Sequence, residues 1–203
     1  MAATPMTAAM VTAALEATAA KTKPKDAELF RKGDAVVYPA HGVGRIEGVG
    51  FEEIAGHRLN LIHISFEDNQ MTLRVPVAQA RAAGLRKLAS RKALAAALAT
   101  LKGRPRASRL MWAKRAQEYL AKINTGDPSA LAEVVRDLQA AGDGSGSSFS
   151  QRNLFELALD RLAAEFAAVN QTAKPDAIDQ INQALLDARS GTQAAHVPPD
   201  VGG

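Results

Sequence analysis

Hydrophobic positions change their period once along this chain, near Pro76. Before that point apolar residues recur every second position. Asp34–Tyr38 is a β-branched run closed by Pro39, and Gly42–Val49 sets Val43, Ile46 and Val49 among three glycines. Arg58–Phe66 alternates Leu59, Leu61, His63 and Ser65 with Asn60, Ile62, Ile64 and Phe66. Both faces are substantially apolar, as in a strand whose outer side is also covered. Met71–Val75 predicts a further strand ended by Pro76, with Glu67-Asp68-Asn69-Gln70 as the turn before it. Four or five short strands within about fifty residues predict a small SH3-like or Tudor-like barrel.

Beyond Pro76 the period becomes 3.6. A short helix is expected over Val77–Ala83, ending at Gly84. Ser90 can cap a helix to about Leu101 that lines up Leu94, Leu98 and Leu101. Lys102-Gly103-Arg104-Pro105-Arg106 breaks it. The next helix is expected from about Ser108 to Ile123, stopping at Asn124-Thr125-Gly126. Asp127 followed by Pro128 is a cap residue and then proline at the first helical position. That helix carries Leu131, Val134, Val135 and Leu138. Gly142–Ser148 reads as a flexible hinge, after which Ser150 is expected to cap a helix striped by Leu154, Leu157, Leu162 and Phe166. A last amphipathic helix is expected over Asp176–Arg189, with Ile178, Ile181, Leu185 and Leu186.

The expected fold class is therefore α+β: a small N-terminal barrel (28–85), an all-α bundle (86–170), and a further helix with a loose tail (171–203). Residues 1–27 are Ala- and Thr-rich, and a disordered tail with a transient helix over Met6–Ala20 is expected there. The tail from Ser190 onward is expected to be unstructured.

Composition narrows the functional classes. The chain has 203 residues, 47% apolar but only 4% aromatic, and no cysteine. That removes disulfide scaffolds and thiolate metal sites. Its four histidines (His41, His57, His63, His196) have no metal-ligand spacing. Secretory and membrane-spanning patterns are missing, so a soluble, cytoplasmic protein is expected.

Charge changes the picture most. Between Leu85 and Ile123 stand eleven Lys or Arg residues (86, 87, 91, 92, 102, 104, 106, 109, 114, 115 and 122) against one acid, Glu118. That segment is +10 in a chain of net charge +4, leaving −6 elsewhere. Solvated helical faces interleave acids with bases, as Arg136-Asp137 and Asp160-Arg161 do later in the chain. Their near-absence here favours a face built for a polyanion. The only tryptophan, Trp112, lies inside the block. Trp112, Ala116, Tyr119 and Ile123 follow helical spacing, which on periodicity alone equally suits core packing. The cations around Trp112 and its nearness to the helix start favour a ring directed at DNA bases. His41 is read as a turn residue, Gly42-Val43-Gly44 precedes strand and not helix as a phosphate loop would require, and Glu52-Glu53 reads as a solvated hairpin. No catalytic constellation and no cofactor site emerges, and the chain is not expected to be an enzyme.

Three stretches together resemble the CarD/CdnL family of bacterial RNA polymerase-binding transcription regulators. They are Phe30–Gly42, the strand Met71–Pro76 with Gly84-Leu85-Arg86 after it, and Trp112-Ala113-Lys114-Arg115 leading into Asp127–Leu138. The first is shared with the polymerase-binding module of transcription-repair coupling factors, whereas the Trp-bearing helix is particular to CarD-like proteins. The resemblance implies a Tudor-like domain docked on the polymerase β subunit and a helical domain that reaches promoter DNA at the upstream edge of the melted bubble. It puts the wedge on Trp112, with Lys114 and Arg115 on the phosphate backbone and Arg104, Arg106 and Arg109 as supporting cations. It puts polymerase binding on Arg74, and an exposed edge expected along Met71–Val75 makes the strand neighbours Met71, Leu73 and Val75 candidates for the same contact. Two positions depart from the pattern: Glu52 stands where some members carry a base, and Gln117 replaces a base one turn beyond Trp112. The expected partners are polymerase and promoter DNA, with no membrane or small-molecule substrate, and the expected state is a monomer. Two other readings fit the residues, a polymerase adaptor with no direct DNA role and a general basic nucleoid-binding protein.

Overall fold

The computed structural model describes residues 29–67, 70–106, 110–142 and 148–194. Contacts divide the chain into two compact units between Lys87 and Leu88. The expected N-terminal tail, the hinge at 143–147 and the last nine residues lie outside the described residues.

The first unit is an antiparallel sheet of β1 (Ala35–Tyr38), β2 (Gly42–Ile54), β3 (His57–Phe66), β4 (Met71–Pro76) and β5 (Arg86–Lys87), ordered β4-β3-β2-β1-β5. A single turn of helix, α1 (Val77–Ala80), follows β4 and is shorter than the seven residues expected. This is the Tudor-like architecture anticipated from the alternation. β4 and β5 end the sheet and do not pair with each other. The period of two decides the core. Ile62, Ile64 and Phe66 point inward from β3, joined by Val36 of β1, Ile46 of β2 and Val75 of β4. Register supports this, since Ile46 pairs with Ile64 and Val75 with Ile62. On the other face Leu61 is also buried, which is why β3 reads as apolar on both sides.

β2 runs five residues past the expected Val49, because a two-residue turn, Ala55-Gly56, closes its hairpin with β3. Both turn residues have positive φ (52° and 80°), the combination whose twist matches paired strands. Near its start β2 crosses the core so closely that a Cβ on Gly44 would stand 2.7 Å from Ile64 and 2.9 Å from Phe66. Only a residue without a side chain fits there.

The second unit consists of α2 (Arg91–Leu101), α3 (Trp112–Thr125), α4 (Pro128–Gly142), α5 (Phe149–Asn170) and α6 (Lys174–Ala194). Its caps follow the sequence signals in three of four cases. The Ser90 hydroxyl accepts from the Ala93 N–H (3.2 Å), and the Asp127 carboxylate accepts from the Ala130 N–H (2.9 Å). Gly126 ends α3 in the left-handed conformation. The fourth signal misleads: Ser148, not Ser150, caps α5. Gln151 stands three residues after Ser148, so the two side chains exchange bonds with each other's backbone N–H (3.3 and 2.9 Å). Ser150 has no such partner and lies inside the helix.

The bundle core joins Leu94, Ala97 and Leu101 to Ile123, Leu131, Val134, Val135 and Leu138, with Leu162, Phe166 and Ile181 beneath them. Leu157 stays 36% exposed, because the buried stripe of α5 steps through Leu154, Ala158, Leu162 and Phe166 in fours and leaves it to one side. The last helix reaches Ala194, past the expected Arg189, and contributes Ala177, Ile181, Ala184 and Leu185 to the same core. A buried carboxylate, Glu165, accepts a hydrogen bond from the Ala89 N–H (2.8 Å) and ties the approach to α2 onto α5.

Two consequences can be measured. Ser148→Ala is expected to cost about 1 kcal/mol in denaturant unfolding, the usual worth of a cap, and Ser150→Ala to lie within about 0.5 kcal/mol of wild type. Gly44→Ala should destabilise the first unit by roughly 1–3 kcal/mol, as forced overpacking does, seen as a lowered melting midpoint.

Candidate functional site

Trp112 is the first residue of α3, and the segment before it comes off α2 through Lys102–Arg106. Two buried side chains set the course of that segment. One carboxylate oxygen of Asp137 on α4 accepts from the Arg106 backbone N–H (3.1 Å) and from two nitrogens of Arg136 (2.9 and 2.7 Å). Arg136 also donates to the Thr100 carbonyl at the end of α2 (3.3 Å). The sequence reading of Arg136-Asp137 as a solvated pair is therefore wrong, since Asp137 is only 7% exposed. The pair fixes the loop that carries Arg104 and Arg106, whose side chains face water.

At the start of α3 the indole of Trp112 is half-buried, resting on the bundle core with one part open. This partial burial agrees in part with the core reading of the residue. Lys114 is exposed, whereas Arg115 is half-buried with its guanidinium carbon 5.5 Å from the Trp112 ring centroid. Tyr119 and Ile123 continue the stripe into the core, and burial pushes the Tyr119 phenol up from its ordinary value. Met111, just before the ring, is 78% exposed and makes no capping bond, and Leu110 is exposed as well. The sequence signal for this apolar tip was available: two large side chains before an uncapped helix in a basic segment.

Not every cation of the block serves this region. Lys122 is bound to Glu133 (2.6 Å), a bond that holds the Glu133 carboxyl below its usual range. Lys87 belongs to the first unit and pairs with Asp34 (3.0 Å), whose carboxyl is lowered by that hydrogen bond and by the Arg31 N–H. Arg109 lies outside the described residues. Lys102, Arg104, Arg106 and Lys114 are exposed.

In the first unit β4 is a terminal strand, so one of its backbone edges faces no neighbour in the sheet. Its side chains divide by parity. Met71, Leu73 and Val75 pair with Phe66, Ile64 and Ile62 and turn toward the core; Val75 is 5% exposed. Val75 is thus taken up in packing, Met71 and Leu73 are half-buried against the core, and Thr72 and Arg74 are exposed. Arg74 projects from the opposite face, where it meets Glu52 (3.4 Å). Glu52 also meets the His63 Nε2 (3.1 Å), so one carboxylate links β2, β3 and β4. Phe51 and Ile54 stand exposed at the far end of the β2–β3 hairpin, with the Arg58 guanidinium 4.8 Å from the Phe51 ring. Among the described residues no group of three or more His, Cys, Asp or Glu could share a metal ion, and no helix is long and apolar enough to cross a membrane.

Comparison with known proteins agrees with this two-part plan. The CarD-like/TRCF RID domain family matches residues 30–89, and the CarD C-terminal domain family matches residues 96–182. A Bacillus subtilis (strain 168) protein described as "Putative transcription factor YdeB" is 26% identical over 141 residues, covering 70% of this chain and 92% of that one. The solution NMR structure of the 72-residue N-terminal domain of Myxococcus xanthus CarD is 36% identical, covering 30% of this chain and 81% of that one. Its TM-score of 0.26 carries no argument about the fold, which rests on the strand order and the helices themselves. With both of its domains matched, in order and in adjoining segments, the chain belongs to the CarD/CdnL family of transcription factors associated with RNA polymerase.

Proposed function

We propose that this protein docks on the β subunit of RNA polymerase through its Tudor-like unit and stabilises the promoter open complex by wedging Trp112 at the upstream edge of the bubble. It acts without catalysis, as a monomer, in the cytoplasm on nucleoid DNA. The observation that carries the reading is the half-buried indole at the uncapped start of α3, beside exposed cations.

Melting is an equilibrium between closed and open complexes, and a factor shifts it only by binding one form better. Trp112 gains contact when the base step beside it is unstacked. Unstacking costs about a few kcal/mol, and base–aromatic contact returns ~1–3 kcal/mol. At ~1.4 kcal/mol per factor of ten, the wedge changes bubble occupancy roughly tenfold. Lys114, Arg104 and Arg106 hold it through phosphates, which confers affinity without sequence choice and makes it salt-dependent. Arg109 belongs to the same segment of sequence.

On the polymerase side, the open edge of β4 suits addition of a partner strand. Arg74 offers a charge for a carboxylate there, once released from Glu52. That exposed pair is worth no more than ~0–1 kcal/mol, so exchanging it costs little. Two weak contacts on one chain then reinforce each other through effective concentration.

In filter-binding assays on a promoter, Trp112→Ala is expected to shorten open-complex lifetime about tenfold while polymerase pull-down stays at the wild-type level. Arg74→Glu should abolish pull-down and, with it, any effect on lifetime. Equal loss of polymerase binding by both variants would contradict this division of labour.

A further inference from the structure

We infer that Arg115 is a positioning residue for the Trp112 indole and acts through the ring, not on a phosphate. The inference rests on the reading that Trp112 meets DNA, and it names the group that sets the ring's orientation. The two cations that follow the indole in sequence have different surroundings. Lys114 is exposed. Arg115 lies one helical turn beyond Trp112, where side chains three apart share a face, with its guanidinium carbon 5.5 Å from the ring centroid. It is half-buried, and its Nε is shut off from solvent with no hydrogen-bond partner among the described residues.

The Nε donor is therefore closed to a phosphate. A buried, unpaired donor is costly to hold. What this position provides in return is the flat face of the indole, which a planar guanidinium stacks on well. Little else at the helix start fixes the ring: Met111 supplies no side-chain cap, and the first turn contains no acid. The bundle core and the guanidinium both touch the indole, so its orientation is restricted before DNA arrives. A wedge ordered in advance loses less freedom on insertion. Lysine would keep the charge but not the planar head.

Trp112 is the only tryptophan, so its fluorescence reports this ring alone. In the full chain, Arg115→Lys is expected to raise acrylamide quenching of Trp112 and weaken binding to a forked promoter duplex roughly three- to tenfold. The salt slope of binding should stay at the wild-type value, because no phosphate contact is lost. Arg115→Gln should behave in the same way, slope included. Wild-type affinity in Arg115→Lys overturns the inference. So does a slope reduced by about 0.9 in Arg115→Gln with quenching unchanged, the signature of a lost phosphate contact. If thermal melting shows Arg115→Gln to be unfolded, the lysine variant decides alone. A Trp112→Ala protein that binds the fork with wild-type affinity would instead overturn the wedge itself. Quenching separates the two failures, since it reads the ring in the free protein.

Discussion

One oxygen of Asp137 accepts three hydrogen bonds, one from the backbone of Arg106 and two from the guanidinium of Arg136. The path of the chain off the end of α2 depends on that oxygen. A loop rich in arginine and lysine would otherwise be driven outward by its own charge and by the entropy of an irregular segment. Here a buried acid takes hold of its backbone, leaving the side chains of Arg104 and Arg106 in water. Removing such an acid would leave Arg136 buried without its partner, the costly half of a broken pair. At the first residue of α3 the indole of Trp112 rests partly on the core.

The two units divide the physical work. In the first, alternation of apolar side chains builds a sheet whose terminal strand keeps its apolar residues inside and one backbone edge free. Recognition through such an edge uses main-chain groups and so tolerates variation in side chains. Arg74 adds a single charge, balanced at rest by Glu52. In the second unit, a core of Leu, Val, Ile and Ala supports a small apolar and cationic tip.

Much of this was legible in the sequence because it follows from local rules. Alternation gave the strands, 3.6-residue spacing the helices, and Ser90, Gly126 and Asp127-Pro128 three of the boundaries. What was not legible depended on partners distant in sequence or on parity. Ser150 and Ser148 are both acceptable caps, and the choice turned on Gln151. Met71, Leu73 and Val75 share one face of β4, and only the register with Phe66, Ile64 and Ile62 shows that this face packs on the core, with Val75 buried and the other two half-buried. Charge counting treated eleven cations as one face, but Lys87 and Lys122 are held by Asp34 and Glu133, the latter eleven residues further on. Arg136-Asp137 looked like an ordinary surface pair because nothing local shows that a loop thirty-one residues earlier binds the same carboxylate. Trp112 was readable as core or as contact, and periodicity alone does not show that its ring is only partly buried.

The most direct test follows Trp112 emission by stopped flow while polymerase and this protein open a promoter whose bubble is reported by a dye on the DNA. A ring inserted at the strand junction must change its environment when the junction forms. The account predicts an emission change with the same rate constant as bubble opening, absent on a promoter held closed. Emission that stays constant through opening, with the protein bound, would contradict it.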